Sequence, residues 1–162
     1  MHRESIAVAF TGHRTYRSEA DEELRQLLEE LYAEGARRYL CGMAWGFDLS
    51  AGEAVVQHKL LHEDVELVAV EPFAEFRSLF RGEDGERYDA LIAAADCRVV
   101  VGENNVGAYM RRNDYLVDHS SLVVAWWDGR RDGGTAYTAL RARRKGREVV
   151  NLYPDPQLNL PF

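Results

Sequence analysis

Arg38-Tyr39-Leu40-Cys41-Gly42-Met43-Ala44-Trp45-Gly46-Phe47-Asp48 is a short apolar run that stops in a turn holding two glycines, and from residue 49 to 61 Ala51, Ala54 and Val55 recur at helical spacing. The stretch reads as strand, turn, helix. The first amides of a helix lack backbone partners and carry roughly half a positive charge from the macrodipole, worth about 0.3–1 kcal/mol to a nearby anion. Glycine lets backbone approach that anion closely, so Gly42, Met43, Ala44, Gly46 and Asp48 read as a cradle for a phosphate-bearing ligand. A plain turn and a capped helix would leave the same letters. Asp48 can accept from the first amides, and Ser50 with Glu53 has capping-box spacing.

Outward from this unit the same alternation repeats. Residues 6–11 (Ile-Ala-Val-Ala-Phe-Thr) form a continuous apolar run, as in a strand covered on both faces. Ser18 with Asp21 marks a helix start, Leu24, Leu27, Leu28 and Leu31 share one helical face, and Gly35 stops it. Residues 66–70 read as a third strand, ended by Glu71-Pro72-Phe73. The charged segment 74–86 holds two glycines and reads as a loop or broken helix around Phe76 and Phe80. Tyr88, Leu91, Ile92 and Ala95 then share a helical face before a fourth strand at 98–101. Residues 109–119 form a helix whose apolar face also carries Arg112 and Asn113, and polar groups on such a stripe are costly unless paired. They are expected in a pocket or pinning the preceding loop. A fifth strand at 122–126, a helix at 134–145 and a sixth strand at 149–152 complete the series.

Strands that alternate with helices predict an α/β fold, a doubly wound, mainly parallel sheet of about six strands with helices on both faces. Ligands of such sheets sit beyond the carboxyl ends of the strands, at the switch in strand order. Every glycine turn here follows a strand, so the turns are expected along one edge.

The 162 residues are enough for one domain with a real core, placed at residues 1–152, followed by a Pro-rich tail at 153–162. A net charge of -7 argues against nucleic acid held by bulk electrostatics. Cys41 and Cys97 lack metal-site or disulfide-scaffold spacing and read as two reduced, mostly buried thiols. No signal peptide and no apolar run of membrane-spanning length is present, so a cytoplasmic protein without a membrane partner is expected. His13, His58, His62 and His119 look scattered and show no HExxH spacing, so no metal is expected. Trp126, Trp127 and the tail leave a homo-oligomer open.

A second glycine turn, Gly133-Gly134-Thr135, opens the last helix and repeats the physics of the first, with a hydroxyl able to reach a phosphate or ribose oxygen. Neither G-x-G-x-x-G nor G-K-[ST] occurs, which removes the P-loop and the ordinary dinucleotide fold. Five motifs in order, Thr11-Gly12-His13-Arg14, Gly42 to Asp48, Glu71-Pro72-Phe73, Arg112-Asn113-Asp114-Tyr115-Leu116-Val117-Asp118 and Gly133-Gly134-Thr135, resemble the YpsA-like branch of the SLOG superfamily. That superfamily also holds the DNA-processing protein DprA and the LOG-type nucleotide hydrolases.

The resemblance spans nearly the whole chain. It implies a Rossmann-like domain binding a nucleotide or nucleotide-sugar ligand, with Gly12, Arg14, Gly42, Gly46, Asp48, Gly133, Gly134 and Thr135 around it. Thr11, Met43, Ala44, Arg112 and Asn113 complete the candidate ligand-binding set. Arg14 would pair with phosphate through its planar fork, or lie in a surface salt bridge. Asp48 would accept from a ribose hydroxyl or cap its helix. Glu71, at a strand end, is the candidate acid/base or nucleophilic group for a glycosidic bond, or else a carboxylate satisfied by amides or Arg77.

LOG-type hydrolases carry a proline before their glycines and a glutamate soon after the threonine. Here Asp132 precedes the pair and Ala136-Tyr137-Thr138 follows Thr135. The first expectation is therefore a nucleotide-binding sensor or scaffold; the alternative is a nucleotide N-glycosidic hydrolase or transferase, with Glu71 or Asp48 as the acid/base group and Arg14 holding the phosphate. A weaker alternative is single-stranded DNA binding through the cationic run at 141–147, which also reads as a solvated helix end. Trp45 or Trp127 is a candidate stacking platform for a base.

Overall fold

The computed structural model describes residues 6–154. Six strands, β1 (Ile6–Gly12), β2 (Ala36–Cys41), β3 (Glu66–Glu71), β4 (Cys97–Val100), β5 (Leu122–Trp126) and β6 (Glu148–Asn151), alternate with five helices. These are α1 (Asp21–Ala33), α2 (Phe47–Leu61), α3 (Gly82–Ala94), α4 (Ala108–Asp118) and α5 (Gly133–Arg144), with a short 3-10 helix at Phe76–Leu79. All strands pair in parallel, in the order β4-β3-β2-β1-β5-β6. This is the expected Rossmann-like α/β arrangement.

The period of two along each strand sorts the core into its faces. Val8 and Phe10 of β1, Tyr39 and Cys41 of β2, and Leu67 and Ala69 of β3 enter one cluster with Leu24, Leu28 and Val55 from α1 and α2. Ala9, Leu40, Val68, Val70 and Val123 point the other way, against Leu116 and Val117 of α4 and Ala142 of α5. Thus α1 to α3 cover one face, and α4 and α5 the other. Between β1 and β5 the chain switches direction across the sheet. β1 leads to α1 on the first face and β5 to α5 on the second, which opens a crevice at their carboxyl ends.

Several local expectations are corrected. The segment 74–86 is more ordered than its glycines imply, because α3 already begins at Gly82. Gly85 is buried in that helix, where an added Cβ would fall 2.9 Å from the Arg77 guanidinium. Ser18 does not cap α1: it has φ 70°, and the helix starts after Ala20. Ser50 and Glu53 form no capping box; both accept from Arg87 of α3, at 3.3 Å and 2.5 Å. Cys41 is buried as expected, whereas Cys97 is exposed because β4 is an edge strand. Of the tail, 155–162 lies outside the described residues.

Candidate functional site

A cleft of about 420 Å³ opens at the β1/β5 switch. Thr11 to Thr15 line it from the end of β1, Ala44 and Asp48 from the start of α2, and Tyr109, Arg112, Asn113 and Leu116 from α4. Arg130 and the segment from Asp132 to Thr135 line it from the loop and first turn after β5. The turns around Gly42 and Gly134 therefore serve one rim, and the space between them is open.

The two glycine turns do different work. At the second, Gly133 has φ 91° with nothing within 4 Å of an added Cβ, and Asp132 makes no side-chain capping bond, so the start of α5 faces open space. Thr135 lies beside it in the cleft wall.

At the first, the glycines accommodate protein. A Cβ on Gly46, which has φ 84°, would fall 2.6 Å from the Arg14 backbone, and one on Gly12 2.4 Å from the Phe47 ring. Gly42 makes room for Asp48 and Arg112, at 3.0 Å and 3.2 Å from a Cβ. The amides of Phe47 and Leu49 already donate to His13 O and Ala44 O. The expected row of bare amides at α2 is therefore mostly spent on the fold. Gly42, Met43 and Gly46 shape the turn without lining the cleft. Met43 is fully buried and itself holds a left-handed φ of 66°.

Arg112 is the cleft's buried cation, 5% exposed. Its Nε donates to Asn113 Oδ1 at 2.8 Å and its Nη1 to the Gly42 carbonyl, and it forms no ion pair among the described residues. Desolvation pulls its pKa down, opposed by Asp48. Asp48, 6% exposed, accepts from the Ala44 amide at 3.2 Å. Burial raises its pKa to about 6, against the pull of Arg112, the Ala44 amide and Arg14. Asp48 thus neither caps α2 nor bonds directly to Arg112.

Arg14 has no carboxylate partner among the described residues and lies over Trp45, 4.1 Å from the ring centroid. One face of Trp45 is thereby covered. Trp127 is buried, with Nε1 donating to Arg130 O at 2.8 Å and Arg143 over its ring at 5.4 Å, so it offers no free platform.

His13, Thr15, Tyr109 and Arg130 line the cleft without having been singled out as ligand-binding positions. His13 Nε2 accepts the Asp128 amide at 3.1 Å, and burial lowers the pKa of the ring. Arg130 donates to Asp128 at 2.6 Å and holds that carboxyl far below the usual range. The one signal for Arg130 was its place in the turn just before a glycine-opened helix.

Glu71 is not brought to the cleft. It is fully buried at the end of β3, accepting from Tyr88 Oη and Arg98 Nε. Arg77, its expected partner, instead pairs with Asp89 at 2.7 Å. With both carboxylate oxygens engaged inside the fold, Glu71 holds α3 and β4 to β3 and does not act as an acid/base group of this cleft. The cationic run is likewise largely committed: Arg141 forms ion pairs with Asp114 and Asp118, Lys145 pairs with Asp118, and Arg147 donates to the carbonyls of Val117, Ser120 and Lys145.

The model of the YspA SLOG family matches residues 8–153. The chain belongs to that family. Among similar proteins are the SPbeta prophage-derived protein YoqJ of Bacillus subtilis (strain 168), 26% identical over 151 residues that cover 83% of this chain and 87% of YoqJ. A UPF0398 protein of Bacillus thuringiensis (strain Al Hakam) is 22% identical over 133 residues, 80% of this chain and 72% of that protein. Among solved structures, DNA processing protein A from Helicobacter pylori, described with its single-stranded DNA binding mode, aligns with a TM-score of 0.62 at 19% identity. The alignment takes in 89% of this SLOG chain but only 63% of that protein, and at this identity the likeness is one of fold. No helix among the described residues is long and apolar enough to cross a membrane.

Proposed function

We propose that this SLOG domain binds a small phosphate-bearing ligand, a nucleotide or a nucleotide-derived molecule, in the β1/β5 cleft and works as a sensor or scaffold. The observation that carries the reading is Arg112, a buried guanidinium on the cleft wall with no directly bonded counter-charge. Leaving such a group without an anion is costly, and a phosphate would supply charge-assisted bonds. The open start of α5 stands at the same rim, and helix N-termini favour anions. Thermal-shift and calorimetric screening against mononucleotides, cyclic dinucleotides, NAD and ADP-ribose tests this directly. Saturable stabilisation by one class, lost in Arg112→Gln, is expected; a flat response to all of them overturns the proposal.

A catalytic reading rests on Asp48 and no longer on Glu71. A buried carboxyl with a pKa of about 6, lining a cleft beside cations, is suited to proton transfer. Release of free base from a nucleotide, abolished by Asp48→Asn, would favour it. The structural likeness to a single-stranded DNA-binding protein keeps nucleic acid as the remaining alternative. Its mark would be an oligonucleotide affinity that falls steeply with salt.

A further inference from the structure

On the face of the sheet covered by α1 to α3, Glu29 of α1 meets His58 of α2 and His62, the residue that follows its end. His58 Nδ1 lies 3.4 Å from Glu29 Oε1, and His62 Nε2 lies 2.9 Å from Glu29 Oε2. One donor atom from each residue falls within 4.8 Å of the others. His62 directly follows the last residue of α2 and its amide still donates to His58 O at 3.0 Å, which places it one turn beyond His58. That i, i+4 spacing was legible in the sequence; the third member, 29 residues from His58, was not.

His62 Nε2 lies at hydrogen-bond distance from both Glu29 oxygens, 3.0 and 2.9 Å, a contact an ion would open by a few tenths of an ångström, while the His58–Glu29 separation already suits one. A tetrahedral ion bound to nitrogen and oxygen at about 2.0–2.1 Å holds its donor atoms roughly 3.3 Å apart. The His58–Glu29 contact, at 3.4 Å, already has that spacing and is long for a hydrogen bond. The other ring nitrogen, His58 Nε2, is buried without a hydrogen-bond partner among the described residues; an ion on Nδ1 would fix the ring's proton on Nε2 and leave it unpaired.

The neighbours hold both rings in place. Tyr32 stacks on His62 at 3.8 Å and 26°, with its hydroxyl donating to Asp64 at 2.8 Å, while Tyr39 meets His58 edge-on at 86°. A groove of about 450 Å³ between α1 and α2, lined in part by Glu29 and His58, adjoins the cluster.

We propose that Glu29, His58 and His62 form a divalent transition-metal site, best matched to zinc, that ties α1 to α2. Two imidazoles and one carboxylate favour zinc over magnesium or calcium, which take oxygen ligands. Binding requires neutral, unprotonated nitrogens at His58 Nδ1 and His62 Nε2 and an ionised Glu29, with no redox change. The site does not depend on what the β1/β5 cleft binds.

Chelator-treated protein is titrated with Co²⁺, read by its visible ligand-field bands, and then with Zn²⁺, read by displacement of those bands and by the melting temperature. One equivalent of Co²⁺ giving the intense bands of a tetrahedral site, reversed by Zn²⁺, is the expected result. Both His62→Ala and Glu29→Gln should weaken binding at least tenfold, while His119→Ala leaves it unchanged. Because His62 and Glu29 are partly exposed, the metal-free melting temperatures of these variants check that they fold. Absence of the bands, or unaltered affinity in folded His62→Ala and Glu29→Gln, overturns the proposal.

Discussion

Asp48 and Arg112 share the buried floor of one turn, yet each bonds to its backbone and not to the other: Arg112 to the Gly42 carbonyl, Asp48 to the Ala44 amide. The attraction between them acts through space, and it does not fully offset the burial of the carboxylate, whose pKa stays near 6.

The sign of the resulting pH dependence follows from linkage. Between the ordinary carboxyl pKa of 3.8 and the folded value of about 6, the folded chain keeps a proton that the unfolded chain has lost. The contribution of Asp48 to stability is therefore present at low pH and is lost as pH rises through that window. Asp48→Asn should abolish it and gain on the order of 1–3 kcal/mol relative to wild type at pH 7.5. Urea melts of the two proteins from pH 4 to 8 check this: the difference must grow with pH and level off above 6. The same protonation removes a negative charge from the cleft, so the affinity for a phosphate ligand should rise as pH falls through 6. With a ligand whose phosphates are all diesters and do not titrate in this range, an affinity that falls instead would assign Asp48 the role of acceptor for a ribose hydroxyl.

Arg112→Gln removes the cation while leaving an amide near the place of Nε, beside Asn113 Oδ1. A charge-assisted bond is worth about 1.5–3 kcal/mol, so a phosphate ligand should bind about 10- to 100-fold more weakly. The ligand-free fold should lose some stability at neutral pH, because Arg112 offsets part of the burial cost of the Asp48 carboxylate, which must take up a proton once the cation is gone. Calorimetry with the best ligand from the screen and a melt of the ligand-free variant measure the two effects.

The glycine turns show why the fold was more legible than the site. Strand-helix alternation predicts a parallel sheet because parallel strands need a crossover, and that rule does not depend on any one side chain. Glycine records only that something approaches the backbone closely. At Gly133 that space is open to the cleft, whereas at Gly12 and Gly46 it is filled by Phe47 and by the Arg14 backbone. Glu71 was misleading for a related reason: a strand end marks the functional edge of the sheet, but not which strand ends flank the crevice. Arg112 and Asn113 were conspicuous because polar residues on an apolar helical stripe demand an explanation.

Gly46→Ala puts this reading to the test. The residue would have to adopt φ 84°, and its methyl group would meet the Arg14 backbone at 2.6 Å. A loss of about 2 kcal/mol or more is expected, together with a displaced Arg14 and weaker phosphate binding. Chemical denaturation and a ligand titration on the same sample read both. Alanine at Gly133 must likewise adopt a positive φ, but it finds nothing within 4 Å, so its cost should be strain alone.

Glu71→Ala should separate structure from ligand binding. It leaves the Tyr88 hydroxyl without its acceptor and Arg98 without its ion pair. The half-exposed Arg98 can turn to water, so the loss should sit near the lower end of the roughly 3–5 kcal/mol typical of a broken buried pair. Denaturation midpoints measure it. Ligand affinity, corrected for the folded fraction, should not change.

The crevice exists because neighbouring strands send their connections to opposite sides of the sheet. It is a gap in the path of the main chain, so trimming a side chain neither creates nor erases it. Substitutions along its walls can alter what is admitted while the vacancy itself persists. A lineage built this way can exchange one cargo for another over long divergence, and the address of the site outlives the identity of its occupant.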